Sequence, residues 1–250
     1  MTNSIRAVFF DLGGTLFSNR NIPAATIPVL VEAAERLGAE GGVAKVGPAF
    51  LRATRRVNED YKRRPYYLHR DLFNDTTRAL AGELGHEASP AFLEWFYDAQ
   101  RQVMITQMVL RDDCLETLGT LRERGYLLSL VSNIDDDYLE PMLDQLALRP
   151  AFDHWTSSEE AESCKPDPGI FRHALAKADC GVEEVVFVGD SRVHDVQGAR
   201  DLGMTCVLIS EEGGTSHLDD PDHAVEPDHR IGALSELCQL LQPRTSGGAR

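Results

Sequence analysis

Apolar and polar positions change their rhythm three times along this chain. Ala7 to Phe10 (AVFF) is a short apolar run that ends at Asp11 and a glycine turn, the pattern of a buried strand. Ile27 to Leu37, Ala49 to Tyr61, Asp71 to Leu84 and Pro90 to Met104 then carry apolar residues every three or four positions, which predicts four helices. Gly38, Gly41 and Gly42, then Gly85 and Ser89-Pro90, mark their ends and starts.

From about Leu110 helix and strand patterns alternate. Cys114 to Arg124 reads as a helix ended by Gly125, Tyr126 to Val131 as a buried strand, and Tyr138 to Leu146 as a helix. Ile170 to Ala178 is helical, Val185 to Val188 a strand, Val196 to Leu202 a helix ended by Gly203, Thr205 to Ile209 a strand, and His229 to Leu241 a closing helix. Such alternation predicts an α/β fold with a doubly wound parallel sheet. The all-helical stretch 19–107 is then an insertion into a core formed by 1–18 and 108–241, and 242–250 is expected to be a flexible tail.

Open α/β sheets bind ligands at the carboxyl ends of their strands, so polar residues at those ends are the candidates for chemistry. Asp11 is a carboxylate at such an end, beside backbone amides that Gly13 and Gly14 leave uncovered. It suits a nucleophile or a ligand for a hard cation such as Mg²⁺. Ser132 and Asn133 follow the second strand; their hydroxyl and amide fit an oxyanion held at Asp11, or simply a turn. Lys165, one of only four lysines against 21 arginines, precedes a helix start and can balance a carboxylate and a phosphoryl oxygen, or serve structure alone. Asp190 follows the Val185 strand, and Asp195 comes five residues later. Opposite Asp11 in a parallel sheet, Asp190 completes a Mg²⁺ site, with Asp195 as a water-mediated or orienting ligand; the alternative for Asp195 is a helix cap.

Composition bounds the partners. At 250 residues and 42% hydrophobic content the chain fits a globular protein with a real core, and no run approaches the ~20 residues of a spanning helix. No secretory signal is visible, and five cysteines without close pairs indicate neither a disulfide framework nor a zinc site, so a reducing, cytoplasmic location is expected. A net charge of −15 argues against nucleic acid and anionic membranes. Phe50 to Arg70 departs from this with a local charge of +5, including Arg55 and Arg56. That stretch is either an anion-binding surface or the solvated face of a helix. Trp95 and Phe96 serve either core packing or a dimer contact, which leaves monomer and homodimer both open.

In order, FFDLGGTLF, LVSN, CKPDPGIF and VGDSRVHD resemble the four motifs of the haloacid dehalogenase-like (HAD) hydrolase superfamily over about 160 of the 250 residues. The helical insertion resembles that family's C1-type cap. The resemblance implies that Asp11 is a nucleophile that becomes phosphorylated, that Ser132 and Lys165 bind the transferring group, and that Asp190 joins Asp11 and the backbone carbonyl of Gly13 on Mg²⁺. It further implies a small anionic phosphorylated substrate, for which the amides of Leu12 and Gly14 and Asn133 are the candidate contacts; the Arg-rich segment with Arg55 and Arg56, if it faces the cleft, predicts a second anionic group on that substrate. Family phosphatases place at position 13 an aspartate that protonates the leaving alcohol and activates water; here it is Gly13. The implied function is a Mg²⁺-dependent phosphatase. The alternatives are a dehalogenase or other HAD hydrolase, or a catalytically weak protein that binds a phosphorylated ligand.

Overall fold

The computed structural model describes residues 5–18, 22–210 and 225–244. Six strands form one parallel sheet: β1 (Ala7–Phe10), β2 (Leu127–Ser132), β3 (His154–Ser157), β4 (Val185–Gly189), β5 (Thr205–Ile209) and β6 (His229–Ile231), in the spatial order β3-β2-β1-β4-β5-β6. The chain winds outward from β1 to β3, returns to lay β4 on the other side of β1, and winds outward again. The crevice between the ends of β1 and β4 is therefore the switch point where such sheets hold ligands.

Strand periodicity explains the two faces. Val8 and Phe10 of β1 join Leu128, Leu130, Val186 and Val188 on one side, under α5 (Cys114–Glu123) and α6 (Asp136–Gln145). Ala7 and Phe9 point the other way, with Val185 and Phe187, and are covered by α8 (Pro168–Ala178) and α9 (Gly198–Asp201), with the short α7 (Ser158–Ala161) directly after β3. With both faces covered, the strands read as continuous apolar runs rather than alternations.

Four helices, α1 (Ile22–Arg36), α2 (Gly42–Tyr61), α3 (His69–Glu83) and α4 (Pro90–Gln107), stand between β1 and α5. They build a hydrophobic cluster of their own, centred on Ala33, Ala49, Ala53, Leu80 and Phe96. Small residues at the α1/α2 contact let the helices approach closely. Trp95 packs against this cluster with Arg36 stacked 3.9 Å from its ring, so packing accounts for both aromatics flagged in the sequence.

Several expected elements differ. Residues 229–241 form not one helix but β6, a 3-10 turn at Leu234–Glu236 and a single helical turn, α10 (Leu237–Leu240). The apolar spacing of Ile231, Leu234, Leu237 and Leu241 mimics a helix, but the open backbone edge of β5 captures the first three residues. Strand β3 (HWTS) went unseen because it lacks an apolar run. Gln242 and Arg244 of the expected tail lie against the core, where Tyr126 donates to the Gln242 carbonyl at 2.7 Å and the Arg244 N–H to the Arg124 carbonyl at 3.0 Å. The other tail residues, 245–250, and Asn19 to Asn21 at the start of the insertion lie outside the described residues.

Asp135 in the loop before α6, and the first residues of α6 itself, fasten the helical block to the core. The Asp135 carboxylate, buried at 3% exposure, accepts the backbone N–H groups of His69 and Arg70, both at 2.8 Å, at the start of α3. Burial alone would raise this carboxyl; the His69 imidazole 3.6 Å away and the two N–H donors outweigh it and hold it below the ordinary value. Next to it Asp137 takes Arg70 at 2.6 Å and the Tyr97 hydroxyl at 3.0 Å. Tyr138 packs against Phe73 and Tyr97, with ring centroids 5.7 and 5.5 Å away. Asp135→Ala strips two donors at the head of α3 of their acceptor, which costs about 1–3 kcal/mol. The expected result is a lower urea midpoint and faster proteolysis within 62–68, the loop between α2 and α3, and a parent-like variant would refute this fastening.

Candidate active site

Asp11 follows β1 directly, and its N–H continues the ladder onto the Val188 carbonyl at 2.9 Å. Phe10 lies opposite both Leu130 and Val188, so Ser132, at the end of β2, sits one register position beyond Asp11, and Gly189 sits level with it. Ser132 is buried at 5% exposure. The turn after Asp11 needs glycine at position 14, where φ is 77°. Position 13 has no such demand: a Cβ there would meet only the Phe17 ring, at 3.6 Å.

Lys165 reaches this edge from the loop before α8. Its ammonium lies 2.6 Å from Asp11 Oδ1 and 2.6 Å from Asp195 Oδ1, with 4% of the residue exposed. Asn133 holds the Lys165 backbone from both sides, its Oδ1 accepting the N–H at 2.6 Å and its Nδ2 donating to the carbonyl at 2.9 Å. Asn133, expected on the substrate, thus has its side chain committed to placing Lys165. Asp167 caps α8 through the Gly169 N–H at 2.9 Å and takes the Ser163 hydroxyl at 2.8 Å, which fixes the turn that carries the lysine.

Asp195 sits in a π-helical turn, Arg192–Gln197, a distortion that recurs at functional sites. Its Oδ2 accepts the Ser191 N–H at 3.0 Å while Oδ1 takes Lys165. The side chain folds back over Gly189, where a Cβ would come within 2.3 Å of Asp195 Cγ. The glycine before Asp190 is there because no side chain fits beneath Asp195. The helix cap here is Ser191, whose hydroxyl accepts the His194 N–H at 3.1 Å, and Asp195 lies inside the turn.

One carboxylate oxygen from each of Asp11, Asp190 and Asp195 lies within 4.8 Å of the others. The Thr15 hydroxyl donates to Asp11 Oδ2 at 3.3 Å. Burial pushes the Asp11 carboxyl up to about 6, with Asp195 adding to the rise and Lys165 opposing it. The same two carboxylates raise the Lys165 ammonium against the effect of its burial, so it stays charged. Three carboxylates against one ammonium leave negative charge, all on hard oxygens, and this donor set fits Mg²⁺. Asp11, Asp190 and Asp195 are together the residues that could hold such an ion.

Arg55 and Arg56 are exposed on α2. Arg56 lines a groove of about 310 Å³ with Tyr61, Arg64, Asp75 and Arg78, all from the helical block, and Asp11 is not among its lining residues. Two participants escaped the sequence reading. Thr15 could have been found from its place four residues after Asp11; Asp135 and its hold on α3 leave no trace in spacing.

The sheet order, the carboxylates at its switch point and the lysine between them define a hydrolase of the HAD type. The profile of the haloacid dehalogenase-like hydrolases matches residues 5–203, and the chain belongs to that family. It is 28% identical to ribulose-1,5-bisphosphate 5-phosphatase of Halopiger xanaduensis over 94% of this chain and 98% of that one. Its identity to (S)-2-haloacid dehalogenase 4A of Burkholderia cepacia is 27%, over the whole of both chains. The magnesium-bound HAD hydrolase YfnB of Bacillus subtilis shares the fold with a TM-score of 0.75 at 20% identity, over 94% of this chain and 98% of that one.

Gly189→Ala should push Asp195 off Lys165, lowering stability in urea by about 1–3 kcal/mol and weakening Mg²⁺ binding in calorimetry. Gly47→Ala, with nothing within 4 Å of the added carbon, is the control and should do neither. An intact Mg²⁺ affinity in Gly189→Ala would contradict this packing.

Proposed function

We propose that this chain is a Mg²⁺-dependent phosphatase for a small phosphorylated metabolite, working through an aspartyl phosphate on Asp11. The observation that carries the reading is the convergence of Asp11, Asp190 and Asp195, one oxygen of each within 4.8 Å of the others: phosphoryl transfer uses a metal ion held at such a point, and a dehalogenation route needs none. When bound, Mg²⁺ supplies charge neutralisation for the phosphoryl oxygens.

The residues of the chain do the rest. Lys165 keeps Asp11 ionised and oriented through Oδ1, while Thr15 restrains Oδ2. An Asp11 oxygen attacks phosphorus in line, the new O–P bond forms, and the bond to the leaving oxygen breaks with its electron pair going to the leaving group. Lys165, the Ser132 hydroxyl and the amides of Leu12 to Gly14 stabilise the equatorial charge. Water then attacks the aspartyl phosphate and restores Asp11. The helical block 19–107 acts as a cap over the crevice, excluding bulk water and selecting the substrate. Arg55 and Arg56 contribute a second anion contact only if the cap turns that face toward the crevice.

Gly13 and the haloacid dehalogenase relative favour a second reading, in which Asp11 attacks carbon and expels halide. A panel of phosphoglycolate, ribulose 1,5-bisphosphate, acetyl phosphate, p-nitrophenyl phosphate and (S)-2-chloropropionate, each with Mg²⁺ and with EDTA, separates the two. Phosphate release that requires Mg²⁺ and disappears in Asp11→Asn is the expected result; halide release undiminished by EDTA would establish the alternative. Mg²⁺-dependent beryllofluoride binding without turnover of any compound would point to a binding protein.

Because the space at position 13 is open, Gly13→Asp should restore general acid and base help. We expect kcat on an alkyl phosphate such as phosphoglycolate to rise by up to ~10²- to 10⁴-fold, and far less on p-nitrophenyl phosphate, whose leaving group needs no proton. Equal effects on both substrates would show that proton transfer is not what Gly13 lacks.

A further inference from the structure

Arg111 lies on the segment that leaves α4 for the core, outside all four motifs. Its backbone N–H donates to the Leu16 carbonyl at 2.9 Å, its Nε to the Thr15 carbonyl at 2.8 Å and its Nη2 to the Gly14 carbonyl at 2.5 Å. One residue thus holds three consecutive carbonyls of the turn that follows Asp11. Beside it, Leu110 forms an antiparallel bridge with Phe17, so the chain entering the helical block and the chain leaving it run together at this point.

The turn needs such a holder. It carries two adjacent glycines, Gly13 and Gly14, and glycine restricts the backbone least of all residues. A peptide plane sets its C=O and the following N–H on opposite sides, so pinning the Gly14 and Thr15 carbonyls also aims the N–H groups of Thr15 and Leu16. That of Leu16 closes on the Leu12 carbonyl at 2.9 Å, and Thr15 is left with its hydroxyl on Asp11 Oδ2. A guanidinium suits the task because its planar fork spans two acceptors, whereas a lysine ammonium is a single point on a flexible stem.

We infer that Arg111 is a positioning residue for the nucleophile turn, and that it ties the conformation of that turn to the hinge of the helical block. The inference rests on Asp11 as nucleophile, but its structural half can be measured without turnover. Full-length parent, Arg111→Lys and Arg111→Ala are compared by amide hydrogen exchange and by steady-state hydrolysis of p-nitrophenyl phosphate with Mg²⁺. In Arg111→Ala, exchange rises in the 11–18 segment and stays at the parent level in β4 and β5. The same variant loses about 10²-fold in kcat, as expected when a reacting group is slightly misplaced, with KM changing far less, and Arg111→Lys recovers part of both effects. Parent-like exchange over 11–18 with parent-like kcat overturns the inference, as does exchange raised equally throughout β4 and β5, which would mark a merely structural arginine. Asp11→Asn in the same series keeps the two readings apart: its turnover tests the nucleophile, while exchange over 11–18 in the Arg111 variants tests the clamp.

Discussion

A lysine ammonium held 2.6 Å from two buried carboxylates organises the active end of this molecule. Removing a single charge from water costs several kcal/mol, so none of the three groups is stable there without the others. Burial works against the charge on Lys165, which Asp11 and Asp195 sustain, and the two carboxylates would repel each other without Lys165. Meeting this condition requires three distant segments to converge: the end of β1, the loop before α8 and the π-helical turn after β4. Breaking a buried pair of this kind is far more damaging than the pair is stabilising, so the assembly specifies one geometry more than it adds stability.

The sheet supplies that convergence cheaply. Parallel strands in the order found here leave a crevice only where the winding reverses, between β1 and β4, and each of the two strands is followed there by an aspartate. The residues around the crevice mostly serve one another: Asn133 fixes the Lys165 backbone, Asp167 fixes the turn, Gly189 makes room for Asp195, and Arg111 gathers the carbonyls after Asp11. Precise placement of a few reacting groups depends on this supporting layer.

The helical block has its own core and touches the sheet domain through polar contacts, a few rings and a small apolar patch of Ile22, Ala25, Met104 and Ile105. Interfaces of that composition, as opposed to a large apolar seam, are the kind across which one body moves relative to another. Its two connections run side by side next to the turn after Asp11, which puts any such motion in mechanical contact with Asp11. The open space around Gly13 means that packing does not require a glycine at this position.

The amino-acid sequence alone determined the fold class, the helical insertion and the four strand or loop ends that bear Asp11, Ser132, Lys165 and Asp190. These are local signals: apolar runs, three- and four-residue spacing and turn residues act within a dozen positions. What only the tertiary structure decided are pairings between residues far apart in the chain. Asn133 as support for Lys165, the burial of Asp195 against Gly189, the grip of Asp135 on α3 and that of Arg111 on the Gly14 turn all join segments that no periodicity relates. The same reason explains β6, where helical spacing lost to an unfilled sheet edge: a backbone that lacks partners outweighs local propensity.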